Sequence, residues 1–100
     1  MLSIRQLRAA RALLDLDQPE LAELAGVSRP TIQRIEHPDF GPEKASERVI
    51  EAVRDALESA GVIFLTVEDG LGEGVRLKSQ EDAPAVKGRT RGRGERTQSP

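Results

Sequence analysis

The hundred residues contain no cysteine, no tryptophan and no tyrosine, and only one histidine, one methionine and two phenylalanines. Without cysteine there is no disulfide framework, no thiol nucleophile and no thiolate metal site. A single histidine excludes multi-histidine metal or catalytic centres, so no metal and no cofactor are expected. With so few rings the core has to be built from Leu, Ile, Val and Ala, which favours packed helices. Nothing approaches 18 consecutive apolar residues, and Arg5, Arg8 and Arg11 stand where a signal peptide would carry its apolar core. The expectation is one small cytoplasmic chain, with no membrane segment. Its net charge of −2 weighs against a nucleic-acid partner and calls for a closer look at where the charges lie.

They are unevenly distributed. Residues 1–60 hold 8 basic and 11 acidic side chains, whereas residues 79–100 hold 5 basic (Lys87, Arg89, Arg91, Arg93, Arg96) and 3 acidic. That last segment has only Ala83, Ala85 and Val86 as apolar residues. It cannot bury enough surface to offset its ordering entropy, and it is expected to be a disordered basic tail. Its Arg-Gly run suits either an electrostatic arm on nucleic acid or a solubilising extension.

Helical periodicity runs through the first 60 residues. Ile4, Leu7 and Leu14, with alanines between, form a stripe from Ser3, a suitable N-cap, to about Leu14. After a break at Asp15 to Gln18, Pro19 stands where a first helical residue is expected, and Gly26 ends that helix at Ala25. Ser28 caps a third helix that begins near Arg29 and stops at Glu36 or His37, before Pro38. Ser46 caps the longest helix, whose apolar positions Val49, Ile50, Val53, Ala56, Leu57 and Ala60 share one face. Beyond Gly61 the period changes. Val62 to Val67 reads as a strand, Val75 to Lys78 alternates, and the Gly-rich segment between them implies a hairpin with a long loop. Such a hairpin is marginal alone, so it packs either on its own helices or on a second copy of the chain.

The stretch Gln18 to Glu36 carries the functional signal. Two short helices joined by the tight turn Ala25-Gly26-Val27-Ser28 form a helix-turn-helix. Ala22 lets the helices approach, Gly26 supplies a positive φ, Val27 fills the space under the turn, and Leu21, Ile32 and Ile35 face inward. Arg29, Thr31, Gln33 and Arg34 are left at or near the outer face, where each can hydrogen-bond a base edge or a phosphate. The pattern Gln18-x-Glu20-Leu21-Ala22-x-x-Ala25-Gly26-Val27-Ser28-x-x-Thr31-Ile32-x-x-Ile35-Glu36 resembles the Cro and lambda-repressor-like (XRE-type) helix-turn-helix regulators, over roughly Leu2 to Gly61. The resemblance departs after Glu36, at His37-Pro38-Asp39-Phe40-Gly41.

This resemblance implies a mainly α fold, with four to five helices of the lambda-repressor-like type followed by the hairpin and the tail. The organisation expected is residues 1–61 as a DNA-binding domain, 62–78 as a hairpin and possible dimerisation element, and 79–100 as the tail. It implies a sequence-specific transcriptional regulator that is not an enzyme, with the helix from about Arg29 to Glu36 in the major groove. Arg29, Pro30, Thr31 and Arg34 would contact bases, while Gln18, Ser28 and Gln33 would contact the DNA backbone. The partners implied are double-stranded DNA, as a palindromic operator, and a second copy of the chain. When bound, the protein would associate with the nucleoid. Several alternatives stay open: an antitoxin or coactivator-type protein-binding module with a protein partner; a purely capping role for Gln18; and, for Arg5, Arg8 and Arg11, either a solvated helix face or a flanking phosphate contact. His37 is expected at a helix end, favourable to the dipole.

Overall fold

The computed structural model describes residues 2–86. Four helices, α1 (Ile4–Leu14), α2 (Gln18–Ala25), α3 (Arg29–Ile35) and α4 (Glu47–Ser59), precede a two-stranded antiparallel hairpin, β1 (Val62–Leu65) and β2 (Gly74–Leu77). Short 3-10 turns occupy Pro42–Lys44 and Gln80–Asp82. The fold is mainly helical, as expected. The second 3-10 turn opens the segment assigned to the tail, with the Ser79 hydroxyl accepting from the Glu81 N–H at 3.2 Å. Residues 87–100, and with them all five basic side chains of that tail, lie outside the described residues.

Local chemistry places each helix. Ser3 caps α1 in a reciprocal box with Gln6: the Gln6 N–H donates to Ser3 Oγ and the Ser3 N–H to Gln6 Oε1, both at 3.1 Å. A second such box opens α2, formed by Asp17 and Glu20 at 2.8 and 2.9 Å. The helix therefore begins one residue earlier than Pro19 suggests, and Gln18 is its first residue, not its cap. Gly26 ends α2 at φ 71°, a conformation that penalises any side chain, and the Val27 N–H returns to the Ala22 carbonyl at 3.0 Å. Ser28 and Ser46 cap α3 and α4 as expected.

The four helices and β1 build one core, against which Val75 and Leu77 of β2 pack. Leu2, Leu7, Ala10 and Leu14 come from or flank α1, Leu21 and Ala22 from α2, Ile32 and Ile35 from α3, Val53 and Leu57 from α4, and Val62 from β1. Along α4 the expected face is graded: Val53 and Leu57 are buried, Val49, Ile50 and Ala56 half-buried, and Ala60 is exposed at the helix end.

The hairpin packs against α1 and α4. Its strands pair Val62 with Leu77 and Phe64 with Val75 on the inner side, and Ile63 with Arg76 and Leu65 with Gly74 on the outer. The loop expected to be long contains a two-residue turn at its tip. Asp69 and Gly70 both have positive φ (53° and 77°), the signature of a type I′ turn, and Glu68 and Leu71 exchange backbone bonds around it at 3.1 and 2.9 Å. Docking of the hairpin is polar as well as apolar. The buried carboxamide of Gln6 donates to the carbonyls of Leu65 and Gly74, both at 3.0 Å, and the Ser3 hydroxyl donates to Glu73 at 2.8 Å. One side chain of α1 thus bridges both strands. On the outer side Ile63 and Leu65 are exposed, as are Val67 and Leu71 in the segment between the strands.

Replacing Gln6 by Leu keeps the volume but removes both bridging donors and half of the α1 capping box. A loss of about 1–3 kcal/mol in stability is expected, read by denaturant or thermal unfolding. Wild-type stability would mean that the bridge contributes nothing.

Candidate nucleic-acid interface

The outer surface of α3 is set by what its inner surface buries. Ile32 and Ile35 are fully buried, and Glu36 follows on the same side, one residue after Ile35 and four after Ile32. With those three inward, Arg29, Pro30, Gln33 and Arg34 form an exposed ridge and Thr31 is half-buried beside it. Pro30 lies in the first turn, where its missing N–H costs no helical bond. The Ser28 hydroxyl accepts from the Thr31 N–H at 3.2 Å and shares a 2.8 Å hydrogen bond with the Thr31 hydroxyl. Five of the seven residues expected at the interface, Ser28, Arg29, Pro30, Gln33 and Arg34, are accordingly exposed at one place.

Gln18 behaves differently. Its side chain is half-buried and its Nε2 donates to Glu36 Oε1 at 3.1 Å. Glu36 itself is 2% exposed, and an unpaired carboxylate at that depth would cost several kcal/mol. Arg11 supplies the partner. Its Nε and Nη2 grip the two carboxylate oxygens at 2.7 Å each, and its Nη1 donates to the Leu16 carbonyl at 3.1 Å. Arg8 adds a hydrogen bond from Nη2 to the Glu36 backbone carbonyl at 2.8 Å.

This network corrects the reading of Arg5, Arg8 and Arg11 as one solvated or phosphate-seeking ridge. Arg5 and Arg8 are both exposed, but Arg8 also donates to the Glu36 carbonyl, and half-buried Arg11 turns to the Glu36 carboxylate. Glu36 is the residue that sequence reasoning missed. Its signal was present, since an acidic residue on the stripe defined by Ile32 and Ile35 demands a cation. Which arginine would answer was not legible. The consequence is positional: α1 and α2 both hold the C-terminal end of α3, so the outward ridge has a fixed orientation.

Past α3 the chain closes on itself. The Arg34 carbonyl accepts the N–H groups of His37 and Gly41 at 3.1 and 3.3 Å, and the Phe40 N–H donates to the His37 carbonyl at 3.0 Å. His37 uses its ring: Nδ1 accepts the Asp39 N–H at 3.1 Å. The guanidinium of Arg34 lies 5.7 Å from the centroid of the Phe40 ring. Among the described residues no group of three or more His, Asp or Glu could hold a metal ion. No helix is long and apolar enough to cross a membrane among them.

Residues 7–37 match the family model described as "Helix-turn-helix", a span that includes Arg8, Arg11, Gln18 and Glu36 and ends just after α3. No curated protein matches the chain.

Removing one side of the buried pair should be far worse than removing both. Arg11→Met is expected to cost on the order of 3 kcal/mol, because it strands Glu36. The double variant Arg11→Met/Glu36→Leu should recover a large part of that loss. Unfolding of both variants and of Glu36→Leu completes the cycle, and additive losses would deny the coupling.

Proposed function

We propose that the helix-turn-helix matched over residues 7–37 is of the Cro/lambda-repressor-like, XRE type, and that the chain is a sequence-specific transcriptional regulator that inserts α3 into the major groove. The observation that carries this reading is the exposed ridge of Arg29, Pro30, Gln33 and Arg34 on a helix whose opposite side is held by Arg8, Arg11 and Gln18 through Glu36. A reading element held in one orientation spends little free energy on ordering when it binds.

Arg29 and Arg34 are assigned to guanine edges, where O6 and N7 accept a bidentate guanidinium. Pro30 offers apolar contact to a thymine methyl, and Thr31 contacts an adjacent base with what its Ser28 bond leaves free. Ser28 and Gln33 are assigned to backbone phosphates. Gln18 keeps a second amide N–H beyond the one given to Glu36, and that N–H is assigned to a phosphate too, so the residue both braces α3 and touches DNA. The protein acts by binding, not by catalysis, and works in the cytoplasm, on the nucleoid when bound.

One seven-residue helix reads too few base pairs for useful specificity, so the functional unit is a homodimer on a palindromic operator. The hairpin, residues 62–78, is assigned as the dimer element. Ile63, Leu65, Val67 and Leu71 support this, since they leave an apolar outer side on a hairpin whose inner side is already packed. The organisation proposed is a DNA-reading unit over 1–61, this dimer element, and a basic tail over 79–100 that adds salt-dependent attraction to DNA.

Arg29→Ala and Arg34→Ala should each lower affinity for an operator selected from a random DNA pool by about 1–3 kcal/mol. Binding to unrelated duplex should stay nearly unchanged in the same titration. Unaltered operator affinity in both variants would dismiss α3 as the reading helix. Leu65→Lys, at an exposed position, should leave the melting curve intact and give monomers in sedimentation; an unchanged dimer would remove the hairpin from the interface.

A further inference from the structure

Two of the chain's cations, Arg11 and Arg34, meet opposite fates. Arg11 spends its Nε, Nη1 and Nη2 on Glu36 and Leu16. The Arg34 side chain has no hydrogen-bond or ion-pair partner among the described residues, yet its guanidinium lies over the Phe40 ring at 5.7 Å. We propose that Phe40 is the positioning residue for Arg34, holding the guanidinium by its flat face so that its N–H edge is presented, already ordered, to a guanine in the major groove. The inference rests on the base-reading role assigned to Arg34 above.

The chemistry favours this division of labour. A guanidinium stacks through its face while its five N–H donors point outward in the plane, so contact with a ring and a bidentate hydrogen bond to a base are compatible. The ring is itself fixed. Phe40 is half-buried and packs against the core, and its N–H donates to the His37 carbonyl. Gly41, at φ 73°, turns the chain so that its N–H reaches the Arg34 carbonyl at 3.3 Å. Lys44 Nζ closes the same loop on the Asp39 carbonyl at 3.1 Å. Backbone and side chain of Arg34 are therefore held by one loop, His37 to Gly41. Arg29, at the other end of α3, has no ring partner among the described residues.

The test uses the full-length chain and duplexes derived from the pool-selected operator. Arg34→Ala first identifies the base pair at which discrimination is lost. If it loses discrimination nowhere, the base-reading role fails and the inference with it. Given that base pair, Phe40→Leu should weaken the intact operator by about 2- to 5-fold, the range expected for an exposed cation–π contact. It should cost nothing on the duplex in which that one base pair is changed, and Phe40→Tyr should restore wild-type behaviour. Equal losses on every duplex would assign Phe40 a merely structural role and overturn the proposal, as would unchanged or tighter binding. A second readout needs no variant. In the free protein, 15N relaxation at Arg34 Nε should report a more ordered group than at Arg29 Nε, and equal mobility at the two would overturn the proposal as well.

Discussion

The burial of one carboxylate governs the arrangement of this fold. Glu36 sits at the end of α3 with 2% of its surface exposed, and a charge in that position is tolerable only if it is fully partnered. Its partners come from two other helices: Arg11 and Arg8 on α1, and Gln18 at the start of α2. The net contribution of such a pair to stability is small once desolvation is counted. Its geometric effect is large, because the bidentate grip and the amide bond are satisfied in one relative placement of the three helices. Apolar packing of Leu7, Leu21, Ile32 and Ile35 supplies the driving force and sets the placement of the helices, and the ionic cluster is satisfied in that placement.

α1 repeats the same device at its other end. Gln6 is buried and uses its carboxamide to hold the carbonyls of Leu65 and Gly74 on the two strands, while Arg8 and Arg11 hold α3. The hairpin and α3 are therefore referenced to a single rigid element. That bears on the charge arithmetic as well. The net charge of −2 does not show that one of the cations near α3, Arg11, is occupied internally by Glu36 and Leu16. On the proposed reading, discrimination rests on the cations of the ridge, Arg29 and Arg34.

Local elements were legible in the sequence to within a residue or so. The exceptions were themselves local. At α2, a proline in the first turn drew attention from the Asp17–Glu20 box that starts the helix one residue sooner. In the hairpin, glycine-rich flanks concealed an Asp69-Gly70 turn that is compact on its own. The ridge of α3 was legible because two buried isoleucines three residues apart dictate which side faces out. The inward turn of Gln18 and the grip of Arg11 were not, because a polar side chain at half depth can satisfy itself in either direction.

Features settled within about one helical turn can be read along the chain: the serine caps at positions 3, 28 and 46, the left-handed residue at Gly26, the apolar stripes, and the change of period after Gly61. Each rests on steric or hydrogen-bonding preferences between residues no more than a few positions apart. The pairings across 18, 25 and 28 residues that meet at Glu36, and those across 59 and 68 residues that meet at Gln6, emerge from the folded arrangement alone. Spacing along a chain carries no information about which of several arginines or amides will reach a given buried acceptor. That choice follows from how the helices pack, and packing is settled by the shape of the whole core.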